Sequence, residues 1–416
     1  MKKIKLTALE RSWILYDIGN SAFILLVSTL IPIYFNALAT TGGLNEALYL
    51  SYWGYAGSVS TLLVAVIGPI CGTLADHRGF KKPIFMACML LGVLGCAAMG
   101  VTAGWLAFLV VFVLAKVGYS SSLVFYDAML PEVTTDERMD TVSSMGYAYG
   151  YIGSVIPFIL CLLLVLFGGK IGIGTGTAMV VSFLITAGWW FVCTQPLLKR
   201  YRQTAFVEHG GNPVSSTFRR LRDTFREVRQ QKHIFLYLLA FFFFIDGVYT
   251  IIDMATAYGT ALGLDTTGLL LALLVTQIVA FPSALIFGRL SQKYASKTLI
   301  PVCIAAYIGI AVFAFFLKSQ WQFWVLAVVV GMFQGGVQAL SRSHFAKIIP
   351  QEKSGEYFGL FDICGKGASF LGTMIVSVGS QLTGSANVGV GSIAILFVIG
   401  FVLFGISTRT EETKQV

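Results

Sequence analysis

Charge is scarce in this chain: Asp, Glu, Lys and Arg make up 12% of 416 residues, about half the share of an ordinary soluble domain. A soluble or disordered protein is therefore excluded, because neither a hydrated surface nor a self-repelling chain can be built from so few charges. The seven cysteines (Cys71, Cys88, Cys96, Cys161, Cys193, Cys303 and Cys364) lie inside or at the edge of apolar runs and never as CxxC. Neither a disulfide framework nor a zinc site is indicated, and packing is their expected role. The four histidines (His77, His209, His233 and His344) fall in loops or at helix ends, so no HExxH or His-rich metal cluster sits within an apolar run. Gly172-Ile173-Gly174-Thr175-Gly176 lacks the GK[ST] ending of a phosphate-binding loop and reads as a flexible turn. An enzyme, a metal, a cofactor and ATP-driven work are all unexpected. There is no Asn-X-Ser/Thr sequon, and together with short external loops this favours a bacterial inner (plasma) membrane.

Apolar residues are abundant instead, at 56%. At about 20 residues per crossing, the expectation is an all-α polytopic membrane protein with twelve spans: 13–38, 50–75, 83–102, 105–128, 143–168, 177–195, 233–260, 266–290, 298–317, 321–345, 356–382 and 388–408. Of the 29 Lys and Arg, 25 fall on the side of the first residue, Lys170 and Lys318 on the other, and Lys116 and Lys366 inside spans. Such a split puts both termini in the cytoplasm. The net charge of +9 then reports topology and does not indicate nucleic acid. Met1 to Arg11 reads as an uncleaved cytoplasmic tail.

The longest loop divides the chain into a six-helix bundle over 1–195, a linker over 196–232 and a second bundle over 233–416. Phe218, Leu221, Phe225 and Val228 share one helical face in the linker, ringed by Arg219, Arg220, Arg222, Arg226, Arg229 and Lys232. An amphipathic helix lying on anionic membrane lipids is expected there; a calmodulin-type target is the alternative. The halves repeat: Gly72-Thr73-Leu74-Ala75-Asp76-His77 with Lys81 returns as Gly288-Arg289-Leu290-Ser291-Gln292-Lys293 with Lys297, at an offset of 216. Pro69 and Pro282 precede the two copies. This duplication resembles the build of the major facilitator superfamily.

Gly72 through Lys81, with Asp76, Arg78 and Gly79, is similar to that superfamily's signature loop between helices 2 and 3. Gly72 would allow close helix packing, and Asp76 could cap a helix N-terminus or pair with a base. The resemblance implies a conformational latch made of Gly72, Asp76, Arg78, Gly79 and Lys81. Trp13-Ile14-Leu15-Tyr16-Asp17-Ile18-Gly19-Asn20-Ser21-Ala22-Phe23, Tyr126-Asp127-Ala128-Met129-Leu130-Pro131-Glu132 and Gln338-Ala339-Leu340-Ser341-Arg342-Ser343 resemble the vacuole-effluxer-like, or unknown-major-facilitator, branch. That resemblance implies secondary active transport, possibly efflux.

Ionisable groups inside spans are costly and face a cavity or a partner. Lys116, Asp246, Gln334 and Lys366 fall near mid-membrane, where transporters hold substrate. Asp17 and Asn20 form a polar patch nearer the basic side. Asp246, Tyr249, Thr250 and Asp253 share a face of their helix, with Lys116 expected to face Asp246 from the other half. Asp362 and Lys366 are an i, i+4 pair that could simply neutralise itself. The candidate substrate and proton residues are thus Asp17, Asn20, Lys116, Asp246, Tyr249, Gln334, Gln338, Asp362 and Lys366. Carboxylates in a low-dielectric cavity suit proton binding, and the mixed charges suit a small polar or zwitterionic, amino-acid-like solute. Arg342 and Asp127 read as gate or loop contacts. A proton-coupled monomeric transporter is expected, with a lipid transporter or a non-transporting scaffold as alternatives.

Overall fold

The structure, a computed structural model, describes the backbone of residues 5–44, 46–207 and 213–415. Within these it describes all side chains except those of 46, 47, 49–51, 213–220, 256, 257, 261, 266, 270, 366–370 and 412–415. The first half runs α1 (Ala8–Val27), α2 (Leu30–Thr41), α3 (Glu46–Ala75), α4 (Lys81–Ala98), α5 (Trp105–Ala128), the one-turn α6 (Leu130–Val133), α7 (Asp136–Phe167) and α8 (Thr175–Arg200). A linker helix α9 (Pro213–Gln230) follows. The second half comprises α10 (Lys232–Ala261), α11 (Thr266–Leu290), α12 (Ser296–Phe315), α13 (Gln320–Ile348), α14 (Ser354–Thr383), α15 (Ala386–Gly391) and α16 (Ala394–Gln415). Counting α1 with α2 and α15 with α16 as single broken crossings, twelve membrane spans form two pseudo-symmetric six-helix bundles. The face carrying the start of α1, the α3–α4 loop and α9 is called the basic face below.

Two crossings expected as continuous helices are interrupted. Ser28 and Thr29 turn their hydroxyls back onto the carbonyls of Ile24 and Leu25, a bond that competes with the ladder and bends a helix; α1 ends there and α2 restarts at Leu30. Ser392 does the same to Val388 at 2.7 Å, between α15 and α16.

The offset of 216 is visible in the packing. A Cβ on Gly72 would lie 2.3 Å from the Gly355 carbonyl oxygen, so α3 and α14 cross backbone to backbone. At the repeat mate, a Cβ on Gly288 would lie 2.8 Å from Ser144 Cβ, and Thr141 Oγ1 donates to the Gly288 carbonyl at 2.9 Å. Thus α3–α14 and α11–α7 are equivalent contacts between the halves. Their polar endings are not equivalent, because Asp76 is fully buried whereas Gln292 is exposed.

The linker helix departs from expectation. Its inward face carries Leu221, Thr224 and Val228, with Thr224 and Val228 buried, while Phe225 is exposed. Thr224 Oγ1 donates to Glu356 of α14, and Glu227 pairs with Lys353 at 2.6 Å. The helix is rotated so that a hydroxyl, not a phenyl ring, meets the buried carboxylate, and it docks on the ends of α3 and α14. Phe218, Arg219 and Arg220 lie outside the described side chains.

Candidate functional site

Asp76 follows the last residue of α3. Its carboxylate accepts from the backbone N–H of Gly355 at 2.8 Å and of Glu356 at 2.9 Å. These are first-turn amides of α14, where the helix dipole favours negative charge. Burial pushes the Asp76 carboxyl up to about 7, against the pull of Lys81 and the two N–H donors. Lys81 is itself fully buried; its Nζ lies 2.7 Å from Glu132 Oε1, 2.8 Å from Ser354 Oγ and 3.8 Å from Asp76 Oδ1. Lys81, one of the residues of the expected latch, is therefore an internal tie between the halves. Arg78 instead sits outside the network, exposed over the Phe206 ring at 5.3 Å.

The loop geometry requires Gly79, whose φ is +80°, a region side chains with a Cβ avoid. Gln203 of the post-α8 strand of loop accepts from Gly79 N at 2.9 Å and donates to the Ala75 carbonyl at 3.0 Å. Glu132 gathers Tyr201 Oη at 2.8 Å and Thr204 N at 2.6 Å. These buttresses hold the α3–α4 loop against α14.

A second tie lies deeper. Arg342, read from sequence with Asp127 as a gate or loop contact, is buried in α13 and reaches into the first half. Its Nη1 lies 3.0 Å from Asp127 Oδ1 and 3.7 Å from Asp17 Oδ2. Nε donates to Ser143 Oγ at 2.9 Å and Nη2 to the Ser143 carbonyl at 3.0 Å. The counter-ion of Asp17 is thus Arg342 of the other half. Nearby, Asp140 takes Ser343 Oγ at 2.6 Å and Lys347 Nζ at 2.7 Å. Asn20, adjacent to Asp17 by one turn, is buried and donates to the Tyr16 carbonyl at 3.1 Å.

Mid-membrane, Asp246 is fully buried at the centre of α10. Its Oδ1 accepts from Gly372 N of α14 at 3.0 Å and lies 3.3 Å from Thr250 Oγ1, while Oδ2 has no hydrogen-bond partner among the described residues. Two turns on, Asp253 is exposed, and its charged neighbour is Lys116 of the first half. The expected pairing of Lys116 with Asp246 is corrected accordingly. Seven residues advance the helix by about 10 Å, which brings Asp253 and not Asp246 to Lys116. Lys116 Nζ also stands 5.9 Å from the Phe112 ring. The exposed carboxylate of Asp253 therefore has its charged counterpart on α5 of the first half. Tyr249 is half-buried on the same side of α10.

Gln334 is buried at the centre of α13, with Nε2 3.5 Å from Tyr151 Oη. Gln338, one turn nearer the basic face, and Asp362 of α14 are half-buried. The side chain of Lys366 lies outside the described residues. The structure thus brings Lys116 and Asp253 together, holds Asp246 against α14, and places Asp17 with the gate rather than with the mid-membrane group. Sequence reading missed Ser143, Tyr147 and Asp140 as gate residues. An arginine near the end of an apolar run was the available signal, but its partners are more than 195 residues away.

Two six-helix bundles, a signature loop tying them on one face and charged side chains between them define a transporter of the major facilitator superfamily. The family model described as "Vacuole effluxer Atg22 like" matches residues 8–415, and the chain belongs to that family. It is 40% identical over 419 residues to the MFS-type transporter YxiO of Bacillus subtilis (strain 168), covering 99% of this chain and 98% of that one. It is 27% identical over 268 residues to Autophagy-related protein 22 of Yarrowia lipolytica, covering 57% of this chain and 45% of the fungal protein. The match thus spans under half of that relative's length. In fold, the chain is similar to the fucose:proton symporter FucP of E. coli, with a TM-score of 0.74 at 14% identity over 96% of this chain and 97% of that one. The human organic anion transporter MFSD10 gives a TM-score of 0.69 at 14% identity, over 95% and 98%. The bacterial relative and both structural neighbours are described as transporters.

Proposed function

We propose that this protein is a secondary active transporter that moves a small polar or zwitterionic solute, amino-acid-like in chemistry, by alternating access coupled to protons. The basic face is read as cytoplasmic, since it collects most of the Lys and Arg, and the membrane as the plasma membrane. The observation that carries the reading is a carboxylate row on α10, Asp246 buried and Asp253 exposed, set opposite Lys116 of the other half at mid-membrane. Fixed charges of both signs on facing helices of the two halves suit a solute that carries both signs. A carboxylate with one oxygen left without a hydrogen bond among the described residues, as in Asp246, suits a proton that comes and goes. The ties Asp76–α14, Lys81–Ser354, Asp140–Lys347 and Arg342–Asp127 lie on the basic side, which supports a conformer closed to the cytoplasm. In the proposed cycle these ties break as the halves rock about the mid-membrane group. An untargeted comparison of solutes in cells with and without the gene tests the reading: a polar, charged or zwitterionic solute should change most, and a change confined to lipids would move the assignment to lipid transport.

A further inference from the structure

The surroundings of Arg342 have the form of a ligand site occupied by a side chain of the protein itself. Three aromatic rings enclose the guanidinium, with Cζ 4.4 Å from the centroid of Tyr147, 4.7 Å from Trp13 and 5.5 Å from Tyr126. Asp127 and Asp17 supply two carboxylates and Ser143 two acceptor oxygens. Every one of these groups belongs to the first half, on α1, α5 and α7, whereas Arg342 belongs to α13 of the second. The cage is also held together without the arginine. Trp13 and Tyr126 stack at 4.2 Å and 14°, and Trp13 Nε1 donates to the Tyr126 carbonyl at 3.0 Å. Gly146 keeps the floor open, since a Cβ there would come within 2.8 Å of Asp17 Oδ2 and 3.2 Å of Arg342 Nη2.

A rocking motion that opens the basic face must withdraw Arg342 and leave this cage behind, facing the new cavity with two carboxylates and three ring faces. Such a set binds cations, because ring quadrupoles and carboxylates attract the same charge and a desolvated site screens neither. We propose that the emptied cage is a binding site for the ammonium or guanidinium group of a transported solute, for which Arg342 is the resident stand-in. The proposal rests on the alternating-access reading and narrows its solute to one carrying a cationic group. It also fixes an order. Solute and Arg342 compete for one cage, so the cation must have moved on toward Asp246 and Asp253 before the basic face can close.

The test is a binding titration on the purified full-length protein, with ethylguanidinium and tetramethylammonium as probes and N-ethylurea as the neutral control. Arg342→Ala should bind both cations about tenfold or more tightly than the wild type, the order expected of cation–π and charge pairing in a desolvated site. It should not bind N-ethylurea, and adding Asp127→Asn should remove the gain. Equal binding by wild type and Arg342→Ala, or equal binding of N-ethylurea, overturns the proposal. Asp76→Ala, which keeps the cage and Arg342 but weakens the seal, gives a second reading: its affinity for the cations should rise, and an affinity unchanged while the seal is shown to open overturns the proposal even where Arg342→Ala does not fold. Binding needs no transport, so a failed titration leaves the transport reading standing. Failure of pH-driven accumulation, in turn, leaves cage binding standing.

Discussion

Replacing Asp76 by alanine removes both acceptors that hold the first turn of α14, at 2.8 and 2.9 Å. A hydrogen bond to a charged group contributes about 1.5–3 kcal/mol. Part of that sum is offset, because the buried carboxylate has lost its hydration, as its shift to about 7 records. In a state open at the basic face the same group is in water and makes neither bond, so what is left acts on the closed state alone. The net is about 1–3 kcal/mol toward opening, roughly 5- to 150-fold in the equilibrium between states. The reporter belongs at the other contact between the halves, so that local fraying at α14 is not mistaken for opening. Thr141 is buried under Gly288; as Thr141→Cys in a cysteine-free background, its maleimide labelling rate from the basic side should rise by that factor in Asp76→Ala. An unchanged rate, with thermal stability also unchanged, would refute the claim that the loop is a latch on a rigid-body motion.

Four further outcomes are expected. Gly355→Ala sets a Cβ 2.5 Å from the Gly72 carbonyl oxygen and 2.7 Å from Asp76 Oδ1, so it should raise Thr141→Cys labelling at least as much as Asp76→Ala does. The raised carboxyl of Asp76 gives a pH dependence: the closed state holds a proton up to about pH 7, and a hydrated carboxylate only up to about 4. Acidification through that window should therefore favour closure and alkalinisation through it should oppose closure, with a plateau above about 7, and Asp76→Asn should flatten the labelling rate against pH. Gly372→Ala places a Cβ 2.1 Å from Thr250 Oγ1 and should weaken the α10–α14 contact, lowering the unfolding temperature by a few degrees in a thermal melt. Thr224→Ala removes the bond from α9 to Glu356; protease cleavage within 213–230 should then become faster while the transmembrane helices stay protected.

The helices were legible because each crossing is an apolar run bounded by charge or glycine, and the equivalence of α3 and α11 was legible as the repeat at 216, whereas their partners α14 and α7 were not. Asp76 as a helix cap could be read from its place in that repeat, since a carboxylate after a close-packing glycine has few other uses. The Arg342 cage could not. Its donors and acceptors are separated by 199 and 215 residues, and no local period records a contact that exists only when two bundles meet. The same holds for Asp246 and Gly372, 126 residues apart, and for Lys116, whose neighbour is set by the depth at which α5 and α10 face each other. The inward face of α9 was misjudged for a related reason: hydrophobic spacing favours Phe225, but the buried group awaiting it is the carboxylate of Glu356, which selects Thr224.

The central claim, proton-coupled alternating access through the α10 carboxylates, is tested most directly in proteoliposomes given a mixture of isotope-labelled amino acids and an imposed pH gradient. Wild-type protein should accumulate at least one solute against its gradient, with a matching proton flux. Asp246→Asn should lose accumulation yet still exchange labelled for unlabelled solute, because exchange needs no net proton release. Accumulation by Asp246→Asn at the wild-type level, driven by the same pH gradient, would contradict the account.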